Sequence, residues 1–460
     1  MHSLLVALLL SVDLTPQMQS TMDHISAQSL RGHLSFIASD LLEGRATPSR
    51  GLDLAAEYIA AQFRRAGLEP VGDDGYFQTA TLIQRMPNWE GFEMTVTSGT
   101  QTMRIDKTEA YLLPESALDL RDVPLIVADQ STRPEQGRGK AVFVANPRGR
   151  GNYDQPALLI NLSANIPTGP QVRDPEAGPA RGAMNVVNKP ELAAFLKEHP
   201  DARLSVHMAA SIESPVKVHN VAGLLRGSDP QLKDSYVMLT AHYDHLGTRS
   251  TGDDKIFNGA NDDGSGTVSV VEIAGAIAAL DKHPARSILF MTFFGEERGL
   301  VGSRYYGRHP LVPLEKTVAD LNLEQIGRTD ATDGPQIGTA SITGFDFSEL
   351  PGILAKAGKI AGIKVYKNEQ ASDPYFARSD NQALADVGIP AHTLCVAFDY
   401  PDYHKVGDHW DKIDFANMAK VDRAVALALL QVASDAPPPK WNEGNPKAKK
   451  YADAAKKLHP

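Results

Sequence analysis

A single cysteine, Cys395, is present among 460 residues, so no disulfide can form within the chain and the fold must rest on packing and, where side chains allow, on metal. It lies in the apolar run Ala391-His-Thr-Leu-Cys-Val-Ala397, which reads as a buried strand, so a core thiol is expected there rather than a nucleophile. Positive charge is also scarce: 46 Lys and Arg stand against 56 Asp and Glu, a net charge of -10. A phosphate-backbone partner needs a positive footprint, which argues against nucleic acid. Long apolar runs are missing too. The segment Ser3-Leu-Leu-Val-Ala-Leu-Leu-Leu-Ser-Val12 is too short to cross a bilayer as a mature anchor. It reads as a signal peptide, although Lys and Arg are absent before its apolar run. The expectation is a leader over residues 1–20 and a secreted or periplasmic protein without a membrane span.

What is present describes a globular protein. A hydrophobic fraction of 42% with 22% charged residues suits a large buried core and argues against disorder. The length exceeds what one core holds, so a main domain with an insertion is expected. From Ile25 to about Gln78 apolar residues recur at helical spacing, as in Leu30, Leu34, Ile37 and then Ala55, Tyr58, Ile59, Phe63, and Gly67 is a sensible helix stop. Between about Ala110 and Ser214 short β-type runs are separated by Gly and Pro clusters. From Val218 onward apolar strands alternate with helical stretches.

The fold class expected is therefore α/β, a mostly parallel mixed sheet flanked by helices on both faces, with an inserted β-rich domain. The boundaries expected are an N-terminal part of the main domain over 21–105, the insert over 106–215, the core over 216–436, and an exposed tail over 437–460 with at most a short helix. The core strands expected are Tyr236 to Ala241, Ser287 to Phe294, Val318 to Leu323 and Ala391 to Phe398.

Each of these four strands exits into acidic residues or histidine: His242-Tyr-Asp244, Glu296-Glu297, Glu324, and His404 a few residues past the last. Ligands of open α/β sheets bind outside the carboxyl ends of the strands, so residues far apart in sequence can share one crevice there. A further loop, Asn258-Gly-Ala-Asn-Asp-Asp-Gly-Ser-Gly266, leads into a helix, and its glycines permit a tight turn beside a crowded centre. Taken singly, each piece has a bland explanation: a surface hydrogen bond, a solvated turn, or a charge pair at a helix start. Their joint placement beyond separate strands reverses that judgement.

Zinc takes histidine nitrogen and carboxylate oxygen, and a catalytic ion keeps one position open. Two ions sharing one carboxylate, with two further protein donors on each, need five side chains. The chain offers His242, Asp262, Glu297, Glu324 and His404, with Asp262 as the natural bridge. Asp244 is placed to accept the other ring N–H of His242. Glu296 remains as a general base behind the metal-activated water.

These residues resemble the zinc-dependent aminopeptidases that include bacterial leucyl aminopeptidases and the aminopeptidases of Streptomyces and Aeromonas. The matching strings are Ala241-His-Tyr-Asp-His-Leu-Gly247, the 258–266 loop, Phe294-Gly-Glu-Glu-Arg-Gly-Leu-Val-Gly-Ser303, Asn322-Leu-Glu-Gln-Ile-Gly327 and Asp402-Tyr-His404, with Leu41-Leu-Glu-Gly-Arg45 near the start. The insert is only weakly similar to a protease-associated domain. The resemblance implies two Zn2+ per chain, one on His242, Asp262 and Glu324 and the other on Asp262, Glu297 and His404, with Glu296 as base. It also implies a peptide substrate cut at its free N-terminus. Tyr403 becomes a candidate donor to the oxyanion, and Arg378, Ser379 and Asp380 become candidate substrate contacts. Two departures stand out: Glu324 replaces the aspartate of better-known relatives, and Asn381 ends a string that often reads Arg-Ser-Asp-His. Carboxypeptidase-type and single-zinc glutaminyl-cyclase-like enzymes share this fold, as do binding modules that have lost the ligands; the intact donor set favours two-ion peptide hydrolysis.

Overall fold

The computed structural model describes residues 14–129, 131–144, 153–163, 166–177 and 185–459. Most of the expected leader therefore lies outside the described residues. Its boundary at residue 20 cuts through a helix, however, because α1 (Pro16–His24) is capped by Thr15. The α1 main chain is held at the carbonyl of Met22 by Arg423 Nε, at 3.0 Å. Among the described residues no helix is long and apolar enough to cross a membrane.

Two compact units are present: residues 1–80, 218–247 and 257–460, and residues 81–217 with 248–256. The second begins well before the boundary expected at 106. The strands Glu93–Ser98 and Gln101–Arg104 belong to its eight-stranded sheet, where the former pairs antiparallel with Arg203–Met208. That pairing partner is distant in sequence, which is why local composition placed the border too late. This unit is β-rich, with a buried cluster built on Met94, Val96, Phe143, Ile160, Leu204 and Val206.

The first unit carries the sheet of interest. Its strands are β1 (Ile212–Leu225, entering the unit at Val218), β2 (Tyr236–His242), β3 (Ser287–Phe293), β4 (Thr317–Glu324), β5 (Thr339–Ile342), β6 (Lys364–Tyr366) and β7 (Ala391–Cys395). They lie in the order β6-β5-β7-β4-β2-β3-β1. The central four, β7, β4, β2 and β3, are mutually parallel, while β1 and β5 join antiparallel at either side. Every residue of β2 and β3 is buried, the pattern of parallel strands covered on both faces, and it explains their continuous apolar sequences.

The longer helices of this unit are α2 (Ala27–Ile37), α3 (Arg50–Arg65), α4 (Gly266–Ala278), α5 (Leu350–Ala361) and α6 (Phe415–Val432). Ser26, Ser49 and Asp414 each accept an orphan amide at a helix start, a contribution of about 1 kcal/mol apiece. Cys395 is buried at the end of β7, and burial pushes its thiol well up.

The tail departs from expectation. Helix α7 (Lys449–Leu458) packs Tyr451 and Ala452 inward with its lysines outward. Trp441 is buried, stacks on Tyr451 with ring centroids 5.1 Å apart, and donates from Nε1 to the Gly388 carbonyl at 2.8 Å. The lysines and prolines that dominate the composition mask a short apolar stripe at helical spacing.

Candidate metal centre

The parallel strands β2, β3, β4 and β7 deliver their carboxyl ends to one crevice of about 510 Å³, lined by Asp262, Glu296, Glu297, Glu324, Tyr403 and His404 among others. The side chains arrive by different local devices. His242 is the last residue of β2 and Glu324 the last of β4. Glu296 and Glu297 follow β3 through Gly295, whose φ of +69° only glycine adopts without strain. His404 sits in the loop after β7 at φ +54°, an uncommon conformation for a side-chain-bearing residue and one that clusters at functional sites.

Asp262 occupies the middle. Its Oδ1 is 3.4 Å from His242 Nε2, and its Oδ2 is 3.1 Å from His404 Nε2. Glu324 Oε1 lies 3.8 Å from His242 Nε2, and Glu297 Oε1 lies 3.4 Å from His404 Nε2. Two groups could each hold a cation: His242, Asp262 and Glu324, and His245, Asp262 and Glu297, in each of which one donor atom per residue lies within 4.8 Å of the others. All five side chains expected as ligands therefore meet, and His245 joins them.

The crevice has more buried negative charge than the protein can neutralise. Burial, together with neighbouring carboxylates, raises Glu296 well above the usual range and Glu324 to about 7. Burial also acts to raise Asp262 and Glu297, yet His242 and His404 hold Asp262 below its ordinary value, and His245 and His404 hold Glu297 at about 2. Burial would lower His404, but Asp262 and Glu297 carry it to about 10. Asp262 Oδ2, Glu297 Oε1 and both ring nitrogens of His245 are buried without a hydrogen bond from the protein. Buried orphan donors and carboxylates facing one point are what a divalent cation satisfies, and the oxygen and imidazole donors suit zinc.

Several residues hold this arrangement. Asp263 Oδ1 accepts the amides of Gly266 and Gln325, both at 3.1 Å, and its Oδ2 accepts the amide of His242 at 3.3 Å, tying α4 to the exits of β2 and β4. Asp408 Oδ2 accepts the amides of Asn261 and Asp262 at 3.0 and 3.2 Å and the Tyr400 hydroxyl at 2.9 Å. Arg45, fully buried, donates to the carbonyls of Tyr243, Asn258 and Gly259 at 2.8, 2.7 and 2.9 Å. Sequence reasoning gave Arg45 and Asp408 no role. Arg45 stood in a string shared with the resembling family, whereas nothing local marked Asp408.

Other expectations need adjustment. The ring Nδ1 of His242 is nearer the Asp244 carbonyl oxygen, at 3.2 Å, than the Asp244 carboxylate, at 3.5 Å. That carboxylate also accepts the Thr47 hydroxyl at 3.0 Å and the Glu296 amide at 3.1 Å, linking the exits of β2 and β3. Arg378 and Ser379 line the crevice, and Ser379 also donates to Glu324 Oε1. Asp380 does not reach the crevice: it is fully buried and accepts the Ser303 hydroxyl. Asn381 is likewise internal, donating to Phe376 O at 3.0 Å and accepting from Thr393 at 2.8 Å. Tyr403 lines the crevice with its ring stacked 4.1 Å from that of His404.

Comparison with known proteins agrees with the sequence resemblance. Residues 220–429 match the description of peptidase family M28, a stretch that contains every expected ligand. The chain is 27% identical over 268 residues to aminopeptidase NAALADL1 of Mus musculus, covering 51% of this chain and 33% of that one. It is 37% identical over 219 residues to a probable zinc metalloprotease of Pyricularia oryzae, covering 45% and 40%. The matched stretch thus spans well under half the length of these relatives. In fold, the chain is similar to an aminopeptidase from Aneurinibacillus sp. strain AM-1, with TM-score 0.61, 19% identity, and 92% and 97% of the two chains covered. It is similar also to a zinc aminopeptidase from Bacillus subtilis, with TM-score 0.59, 17% identity and the same coverage.

Proposed function

We propose that this chain, whose residues 220–429 match peptidase family M28, is a two-zinc metallopeptidase that releases residues from the free N-terminus of peptides. The observation that carries the reading is Asp262, whose two carboxylate oxygens face different histidines, Oδ1 towards His242 and Oδ2 towards His404. A carboxylate so placed is the shape of a bridge between two cations.

His242, Asp262 and Glu324 would hold one ion, and Asp262, Glu297 and His404 the other. The ions would supply Lewis acidity and a lowered pKa for water in the crevice. Glu296 takes the proton from the attacking water on its carboxylate and passes it to the departing amine. Its burial favours the protonated form, so the carboxyl is suited to give that proton up only to a basic acceptor. The Asp244 carboxylate, by accepting the Glu296 amide, fixes the start of the Glu296-Glu297 turn. Tyr403 lines the same crevice and is placed to donate to the developing oxyanion. Export across a membrane belongs to this reading and is supported by the apolar segment Ser3–Val12.

The test is a screen of aminoacyl-anilides against N-blocked peptides, with chelator and with zinc restored. Cleavage that requires a free amine, stops with chelator and returns with zinc is expected. Cleavage of blocked peptides at internal bonds, or release of C-terminal residues, would redirect the assignment within the same fold.

A further inference from the structure

His245 has no part in the five-ligand scheme, yet it sits inside the centre. It is fully buried, and neither ring nitrogen makes a hydrogen bond within the protein. A buried imidazole left in that state costs about 1–3 kcal/mol for each unsatisfied group. Its Nδ1 lies 2.9 Å from Glu297 Oε1, an oxygen that itself accepts no hydrogen bond. The contact is therefore a close approach of two donor atoms to a common point. Together with Asp262 and Glu297 the ring forms a group whose donor atoms all lie within 4.8 Å of one another, as do those of His242, Asp262 and Glu324.

The surrounding backbone leaves room for this ring. Gly259 has φ +57°, and a Cβ there would fall 2.5 Å from both His245 Cδ2 and the Asp262 carbonyl oxygen. A side chain at 259 would drive the imidazole off its position. His404 reaches the same two carboxylates, at 3.1 Å from Asp262 Oδ2 and 3.4 Å from Glu297 Oε1, with 39% of its side chain exposed and its ring centroid 5.8 Å from that of His245.

We propose that His245 is a fourth protein ligand of the ion held by Asp262, Glu297 and His404. This deepens the two-ion reading and rests on it. The two halves of the centre are then unequal. The half containing His242 and Glu324 has three protein donors and keeps the open position that catalysis requires, whereas the other half is closed by four, the donor number of structural zinc sites. The closed half holds its ion when zinc is scarce, and the open half exchanges first.

X-ray absorption at the zinc edge of the fully loaded protein counts imidazoles directly. The expectation is three imidazoles shared over two zinc ions, falling to two in His245→Gln. Zinc titration of chelator-stripped protein by calorimetry should show two unequal sites, with the tighter one weakened at least about tenfold in His245→Gln. Circular dichroism and melting of the metal-free proteins control for folding, and the unmutated protein's imidazole count stands even if the variant does not fold. Two ions with only two imidazoles in the unmutated protein would overturn the proposal and leave the two-ion reading intact. One bound ion per chain would instead remove the two-ion reading.

Discussion

The same parallel strands end in two very different places. At their carboxyl ends lies a crevice of about 510 Å³ crowded with Asp262, Glu296, Glu297 and Glu324. At their amino ends, beside Thr317 and Pro390, lies a larger cavity of about 870 Å³ walled by Pro438, Pro439, Trp441 and Ala452 of the C-terminal segment. The larger space is the chemically quieter one. Polar groups on its wall find partners: Ser348 pairs at 2.7 Å with the buried His392, whose other ring nitrogen donates to the Thr343 carbonyl at 2.8 Å, and Trp441 donates to the Gly388 carbonyl at 2.8 Å. At the opposite end, carboxylates and an imidazole remain buried without hydrogen bonds. Volume therefore says little about where the chemistry is, and uncompensated buried charge says much.

Substitutions at the two ends should have opposite consequences. The largest effect is expected from Glu296→Gln: turnover should fall by about 10² to 10⁴ while zinc content is unchanged, checked by steady-state kinetics and metal analysis. A normal rate would take the proton-transfer role away from the crevice. Trp441→Ala should do the reverse, costing about 3–5 kcal/mol in denaturant unfolding and leaving kcat/KM unaltered where the protein stays folded. A change in kcat/KM of tenfold or more would mean that the two ends communicate.

A pH dependence should separate them next. Burial lowers the His392 pKa from 6.5 to about 4, so its neutral form is the one that the fold accommodates. Its contribution, on the order of 3 kcal/mol, is fully present above pH 6.5 and is lost as pH falls through about 4. His392→Gln should flatten that part of a stability profile measured on metal-free protein. The smallest effect is expected at Ser379, which donates to Glu324. Ser379→Ala should weaken zinc binding by about tenfold with little change in KM, whereas a rise in KM at full zinc occupancy would favour the direct substrate contact suggested by resemblance.

The strands and the centre were readable for a common reason. Tyr236–His242, Ser287–Phe293 and Thr317–Glu324 are buried, mutually parallel strands and so appear as predominantly apolar runs, the first and third ending in a chemistry-bearing residue and the second followed by one at Glu296. The C-terminal segment was misread because Lys449, Lys450, Lys456 and Lys457 outnumber the apolar residues that α7 turns inward. Asp380 was misplaced because its neighbour Ser379 reaches the crevice while its own carboxylate turns to Ser303.

The sequence alone determined which side chains could bind a metal, since imidazole and carboxylate chemistry is local to each residue and the apolar runs show where strands stop. Only the tertiary structure decided which of them converge and what holds them there. The amides gathered by Asp263 and Asp408, the carbonyls held by Arg45, and the space that Gly259 leaves for His245 depend on main chain brought together from distant positions, and no spacing along the chain encodes that proximity.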